Sequence, residues 1–164
     1  MKRSLFSMAI LACAQFAVVA GEGWKEYVNE RFGFKFSHPS SLIAGQPPTN
    51  GGGLTFSTRD KEFEIAAWGQ FMAEGETPEK YWADELTGTG ASATYQRKGA
   101  NWYVISGVDK GVEYYHKAFF QNGNVVYLDI DYPHAKNKQY DPWVEKIEKS
   151  FVPFLKGDFD RIQK

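Results

Sequence analysis

The sequence predicts an α+β domain: an antiparallel β-sheet with helices packed against it. Three observations carry this. Aromatic residues make up 16% of the chain, many in segments where apolar and polar residues alternate. Glycine, proline and Asn-Gly or Asp-Lys-Gly clusters divide those segments into short lengths. Two segments instead open with a capping residue followed by proline and continue at helical spacing, Thr77-Pro78 and Asp141-Pro142.

In chain order, Met1-Lys2-Arg3 is a short positive start, and Leu5 to Cys13 is an apolar run broken only by Ser7. Val18-Val19-Ala20 supplies small or modest residues before Gly21, so residues 1–20 read as a secretory signal peptide cut at Gly21. Ser7 and Gln15 interrupt the apolar run short of the ~20 residues a membrane anchor needs, and no later stretch approaches that length. A competing reading takes Leu11-Ala12-Cys13 as a lipidation box with Cys13 as the acylated residue, although Ala14 to Val19 is then an apolar flank where a polar tether is expected. The expected location is periplasmic or secreted. Cys13 is the only cysteine, so cleavage removes thiolate nucleophiles, cysteine zinc sites and iron–sulfur clusters from the mature chain.

The remainder suits one domain, residues 21–154, followed by a polar tail, 155–164. The whole chain carries 19 basic and 20 acidic residues, and losing Lys2 and Arg3 makes it slightly more acidic. That balance gives no electrostatic case for nucleic acid or anionic lipid.

Trp24 to Val28 and Gly33 to Ser37 read as strands, the second alternating Phe34 and Phe36 before Pro39. Residues 38–53 hold three prolines and a glycine cluster and read as the longest loop. Gly51-Gly52-Gly53 is no phosphate cradle, because Leu54-Thr55-Phe56 opens a strand where such a loop must open a helix. Leu54 to Ser57 and Phe63 to Phe71 form a hairpin. Thr77 caps a helix that Gly88 and Gly90 end. Ser92 to Arg97, Trp102 to Val108, Val112 to Gln121 and Val125 to Tyr132 then form a meander of four strands. Asp141 caps a last helix, with Pro142 in its first turn and Val144, Ile147 and Phe151 on one stripe.

The opening YVNERFGFKFSHPSSL, the Gly-rich turn into a strand, the Thr-Pro helix, KGANWYVISG, the tyrosine-rich strand and the closing YDPWVEKIEKSF together resemble the PsbP-like domains, over roughly residues 24–154. That superfamily of α-β-α sandwiches includes extrinsic photosystem proteins, Mog-type Ran-binding proteins, DcrB-type exported proteins and chaperones of secreted effectors. Short exported proteobacterial proteins share the GFxFxxP start and a strand opening like Asn101-Trp102-Tyr103. The resemblance implies a domain that binds proteins and does not catalyse.

The chemistry-bearing segment is Tyr114 to Pro133. A two-residue Asn122-Gly123 turn sets Gln121 opposite Asn124, so His116 meets Asp129 and Tyr114 meets Asp131 on one face. If Asp129 orients His116 as a general base, Ser106 on the neighbouring strand is the nearest nucleophile for a small cofactor-free hydrolase. A three-residue turn at Asp109-Lys110-Gly111 puts Ser106 on the His116 face, and a two-residue turn puts it on the other. Val104 and Val108 occupy the positions where a nucleophile elbow needs glycine. The alternative is a cross-strand ion pair within a scaffold.

His38, His116 and His134 lack the paired spacing of a metal site, although His134 with Asp131, or His116 with Asp129, could take a loosely held cation. No metal and no cofactor is expected. If one sheet face is incompletely covered, Trp102, Tyr114, His116, Tyr127 and Asp129 form a binding surface suited to a protein segment or small apolar ligand. The expected function is therefore an exported, non-catalytic binding domain acting through the sheet face or the 38–53 loop. It would serve as an adaptor, chaperone or neutralising partner for another envelope or secreted protein, with no nucleic acid and no integral membrane span. The hydrolase is the alternative.

Overall fold

The structure, a computed structural model, describes residues 22–88 and 92–155. The expected signal peptide, residues 1–20 with Cys13, and the tail beyond Leu155 lie outside the described residues. Nine strands and two helices follow in the order β1 (Trp24–Asn29), β2 (Phe34–Pro39), β3 (Ile43–Ala44), β4 (Gly53–Ser57), β5 (Glu64–Phe71), α1 (Pro78–Thr87), β6 (Ala93–Lys98), β7 (Trp102–Asp109), β8 (Val112–Gln121), β9 (Asn124–Pro133) and α2 (Asn137–Ser150). Seven strands form one antiparallel sheet in the order β3-β4-β5-β9-β8-β7-β6, and β1 and β2 form a separate two-stranded ribbon. The predicted α+β class and the four-strand meander are both present. Among the described residues no helix is long and apolar enough to cross a membrane.

Strand alternation gives the sheet two faces. One presents Phe56, Ile65, Ala67, Val126, Leu128, Ile130 and Tyr132, and is covered by the β1–β2 ribbon and α2. Phe34 and Phe36, two residues apart and so on one side of β2, are both fully buried in this core. No ladder joins the ribbon to the large sheet. It is held by side chains and by the reciprocal backbone bonds between Lys35 and Val152, 3.0 and 2.8 Å. The other face presents Tyr103, Ala118, Phe120 and Val125, and α1 lies on it through half-buried Tyr81 and Trp82. No α1 residue is fully buried, so this helix is the more lightly docked of the two.

Thr77 caps α1 as the sequence predicts, its hydroxyl accepting from the Lys80 N–H at 3.3 Å. Three expectations need correction. The 38–53 stretch is not all loop, since Ile43–Ala44 adds an edge strand to β4. His38 is not on a loop but at the end of β2, buried with its ring 4.2 Å from that of Phe56. α2 starts at Asn137, so Asp141 is not its cap and Pro142 sits inside it. Pro142 cannot bond the carbonyl one turn back. That loss is offset by burial of Tyr140 against Phe63 and Tyr132, and the Tyr132 hydroxyl donates to Asp141 Oδ1 at 2.9 Å.

One close approach makes a testable demand. A Cβ on Gly69 would lie 2.3 Å from Cγ of the buried Phe32 ring. Gly69→Ala is expected to lower unfolding stability by about 1–3 kcal/mol through overpacking, read as a reduced urea midpoint.

Candidate functional site

The hairpin register is the predicted one. Asn122 and Gly123 have φ of 50° and 72°, Gln121 pairs with Asn124, His116 with Asp129 and Tyr114 with Asp131. What spacing within the hairpin cannot reveal is the third partner. Tyr81 packs on Phe120, and Glu85, one helical turn further along α1, therefore reaches down to His116. Glu85 Oε1 lies 3.3 Å from His116 Nδ1, and Asp131 Oδ1 lies 3.8 Å from Nε2. With the side chain of His116 only 15% exposed, three carboxylates surround one imidazole.

Burial alone would push His116 down, but the Asp131 carboxylate 3.8 Å away and the hydrogen bond to Glu85, helped by the nearby Asp129 charge, raise it to about 10. Burial pushes Asp129 up to about 7; the His116 cation opposes this, and the Glu85 and Asp131 charges add to it. His116 is thus an imidazolium at neutral pH and has no free nitrogen lone pair with which to accept a proton. The arrangement pins α1 to the sheet.

Ser106 stands elsewhere. Lys110 and Gly111, with φ of 48° and 84°, make a two-residue turn, so Asp109 pairs with Val112 and Ser106 with Tyr115. Ser106 therefore lies on the opposite face from His116, and the predicted Ser106–His116–Asp129 constellation does not assemble. The same register puts Trp102 opposite Phe119 on that other face. Tyr114 is 3% exposed, its hydroxyl 3.3 Å from Ser92 Oγ, and Tyr127 stacks on Trp68 at 4.8 Å. The five residues expected to form one surface are divided between two faces and a buried layer. His134 pairs with Glu113 at 2.8 Å. Among the described residues no three His, Cys, Asp or Glu side chains are placed to hold a metal.

The open ground is on the α2 face. α2 packs mainly on β2 and β9, leaving the sheet between it and β6 as a trough of about 580 Å³. Its floor and walls include Tyr95, Arg97, Trp102, Ser106, Tyr115 and Glu148. Lys117 spans it, bonded to Glu148 at 2.5 Å, with its ammonium 5.1 Å from the Phe119 ring centroid and 5.8 Å from that of Trp102. Tyr95 is 44% exposed at the rim. A second recess of about 420 Å³ lies under residues 46–53 beside Trp68, and its polar lining is uncharged: Gln46, Asn50, Thr55 and Gln70. The charged and aromatic mixture belongs to the trough.

This architecture is similar to that of solved structures. The solution structure of cyanobacterial PsbP (CyanoP) from Synechocystis sp. PCC 6803 matches with a TM-score of 0.61 at 11% identity, covering 84% of this chain and 96% of that one. A crystal structure from Bacteroides thetaiotaomicron VPI-5482 matches with a TM-score of 0.54 at 13% identity over 81% of this chain, which spans about half (49%) of that protein. The fold is therefore PsbP-like. No protein-family model and no curated protein matches the chain.

Proposed function

We propose that the chain is an exported, non-catalytic binding domain that engages another envelope or secreted protein through the trough between α2 and β6. Export rests on the N-terminal sequence, with its basic start, apolar run and small residues before Gly21. Adaptor, chaperone and neutralising partner are three uses of the same property, a surface that holds another polypeptide. The observation that carries the reading is the trough itself. It is large and open, and it combines half-exposed aromatic rings with charges at its margin, the composition of protein-recognition patches. The supporting observation is that His116 is a caged cation with Ser106 on the far side of the sheet.

The test is affinity capture of the tagged protein from its native envelope, with Trp102→Ala/Tyr95→Ser and His116→Gln run alongside. The expected result is a partner recovered with wild type and His116→Gln and lost with the trough variant. Equal recovery by all three would contradict the assignment of the trough. In parallel, hydrolysis of a simple nitrophenyl ester is expected to be indistinguishable between wild type, Ser106→Ala and His116→Gln. Turnover abolished by both substitutions would restore a hydrolase.

A further inference from the structure

We infer that the outer edge of β6 takes an extended acidic segment of the partner as an added strand; this deepens the trough reading and rests on it. β6 ends the seven-stranded sheet, with β7 on one side and no strand on the other among the described residues. Five of its six residues are exposed. Gly99 N–H donates to Trp102 O at 2.8 Å, which marks Gly99 and Trp102 as a bonded pair. Alternation along an antiparallel ladder then makes Arg97 with Val104, and Tyr95 with Ser106, the bonded pairs, and turns the backbone groups of Gln96 and Lys98 outward. Those N–H and C=O groups are the docking points for another strand.

The same edge says which strand. The register shift between Ala93 and Tyr95 ends regular pairing at Tyr95, leaving Tyr95 to Lys98 as the usable length. Arg97 faces the trough and Lys98 faces α1, since they pair with Val104 and Tyr103 on opposite sides of β7. Both cations rest on aromatic rings: Arg97 is 5.5 Å from the Tyr95 centroid and Lys98 is 5.7 Å from that of Trp82. Neither has a carboxylate partner among the described residues. Charges and bulges of this kind repel indiscriminate edge pairing. A segment with two adjacent carboxylates opposite Lys98 and Arg97, and an apolar side chain opposite Tyr95, reverses that repulsion and lowers its apolar group into the trough. A second copy of this chain is disfavoured, because the antiparallel self-pairing that bonds Gln96 to Lys98 sets Arg97 against Arg97, and the one that bonds Gln96 to Gln96 gives neither Arg97 nor Lys98 an opposite charge.

The probe is a blocked synthetic octapeptide with two adjacent glutamates followed two residues on by a phenylalanine, compared with the same peptide carrying lysines for the glutamates. With the purified protein, the acidic peptide is expected to bind at least about tenfold more tightly than the basic one and to protect the Gln96 and Lys98 amides from hydrogen exchange. Arg97→Glu/Lys98→Glu is expected to reverse the preference, a gain that misfolding cannot mimic. Equal binding of both peptides, protection confined to other strands, protection given by anionic lipid vesicles in place of peptide, or self-association through β6 would each overturn the inference. If partner capture depends on Trp102 but is indifferent to the Arg97/Lys98 reversal, the edge pairing falls and the trough reading survives. If the peptide binds as expected while the trough variant captures the partner normally, the edge pairing stands and the trough reading falls.

Discussion

Phe36→Ala is expected to lower the unfolding free energy by about 3–5 kcal/mol, seen as a large fall in the urea midpoint. Phe36 is fully buried in β2 and meets Tyr27, Phe56 and Phe151 at ring centroid distances of 5.6, 5.8 and 6.2 Å. In a ladder strand some of that loss would be shared with backbone bonds to its neighbours. The β1–β2 ribbon has no such ladder to the main sheet, so ring packing does most of the holding. Truncating the ring leaves a cavity where the ribbon meets both the sheet and the segment after α2. The trough is walled by other elements, so peptide binding by the folded fraction is expected to persist. A midpoint shift worth less than about 1 kcal/mol would mean that the ribbon is held by something else.

His116→Ala is expected to cost about 2–4 kcal/mol near pH 6.5, because it leaves Glu85, Asp129 and Asp131 facing one another without their cation. The pH dependence distinguishes this from simple loss of packing. A histidine raised from 6.5 to about 10 contributes stability that is fully present below pH 6.5 and disappears as pH rises through 10. Asp129, raised from 3.8 to about 7, acts oppositely to a stabilising carboxylate: its burial costs nothing below pH 3.8, and the cost grows until pH passes 7. The difference between wild type and variant should therefore be greatest at or below about pH 6.5. It should shrink steadily as pH rises from about 6.5 to about 10, where the folded wild type gives up the His116 proton. Urea melts across that range provide the measurement, and a difference that stays constant with pH would contradict the ion cage.

The sequence made local relations legible and left distant ones hidden. Asn122-Gly123 admits one turn type, so the pairings of Tyr114 to Gln121 with Asn124 to Asp131 followed from it. Asp109-Lys110-Gly111 admits two turn lengths. One residue of ambiguity there decides the face of every β7 side chain, which is why Ser106 and Trp102 could not be assigned before the φ angles of Lys110 and Gly111 were known. Glu85 was missed because it reaches His116 across a helix–sheet contact, although its place one turn after Tyr81 was a usable signal. β3 is two residues long, too short to show alternation. The placing of β9 beside β5, which puts β6 at an edge, comes from tertiary packing that no local pattern encodes.

Hydrogen exchange on the complex with the captured partner asks most directly which surface meets another protein. The account predicts new protection along β6 and around Trp102 and Tyr115, with the amides of α1 and the His116 pairing unchanged. Protection centred on α1 and His116, with β6 still exchanging freely, would contradict it.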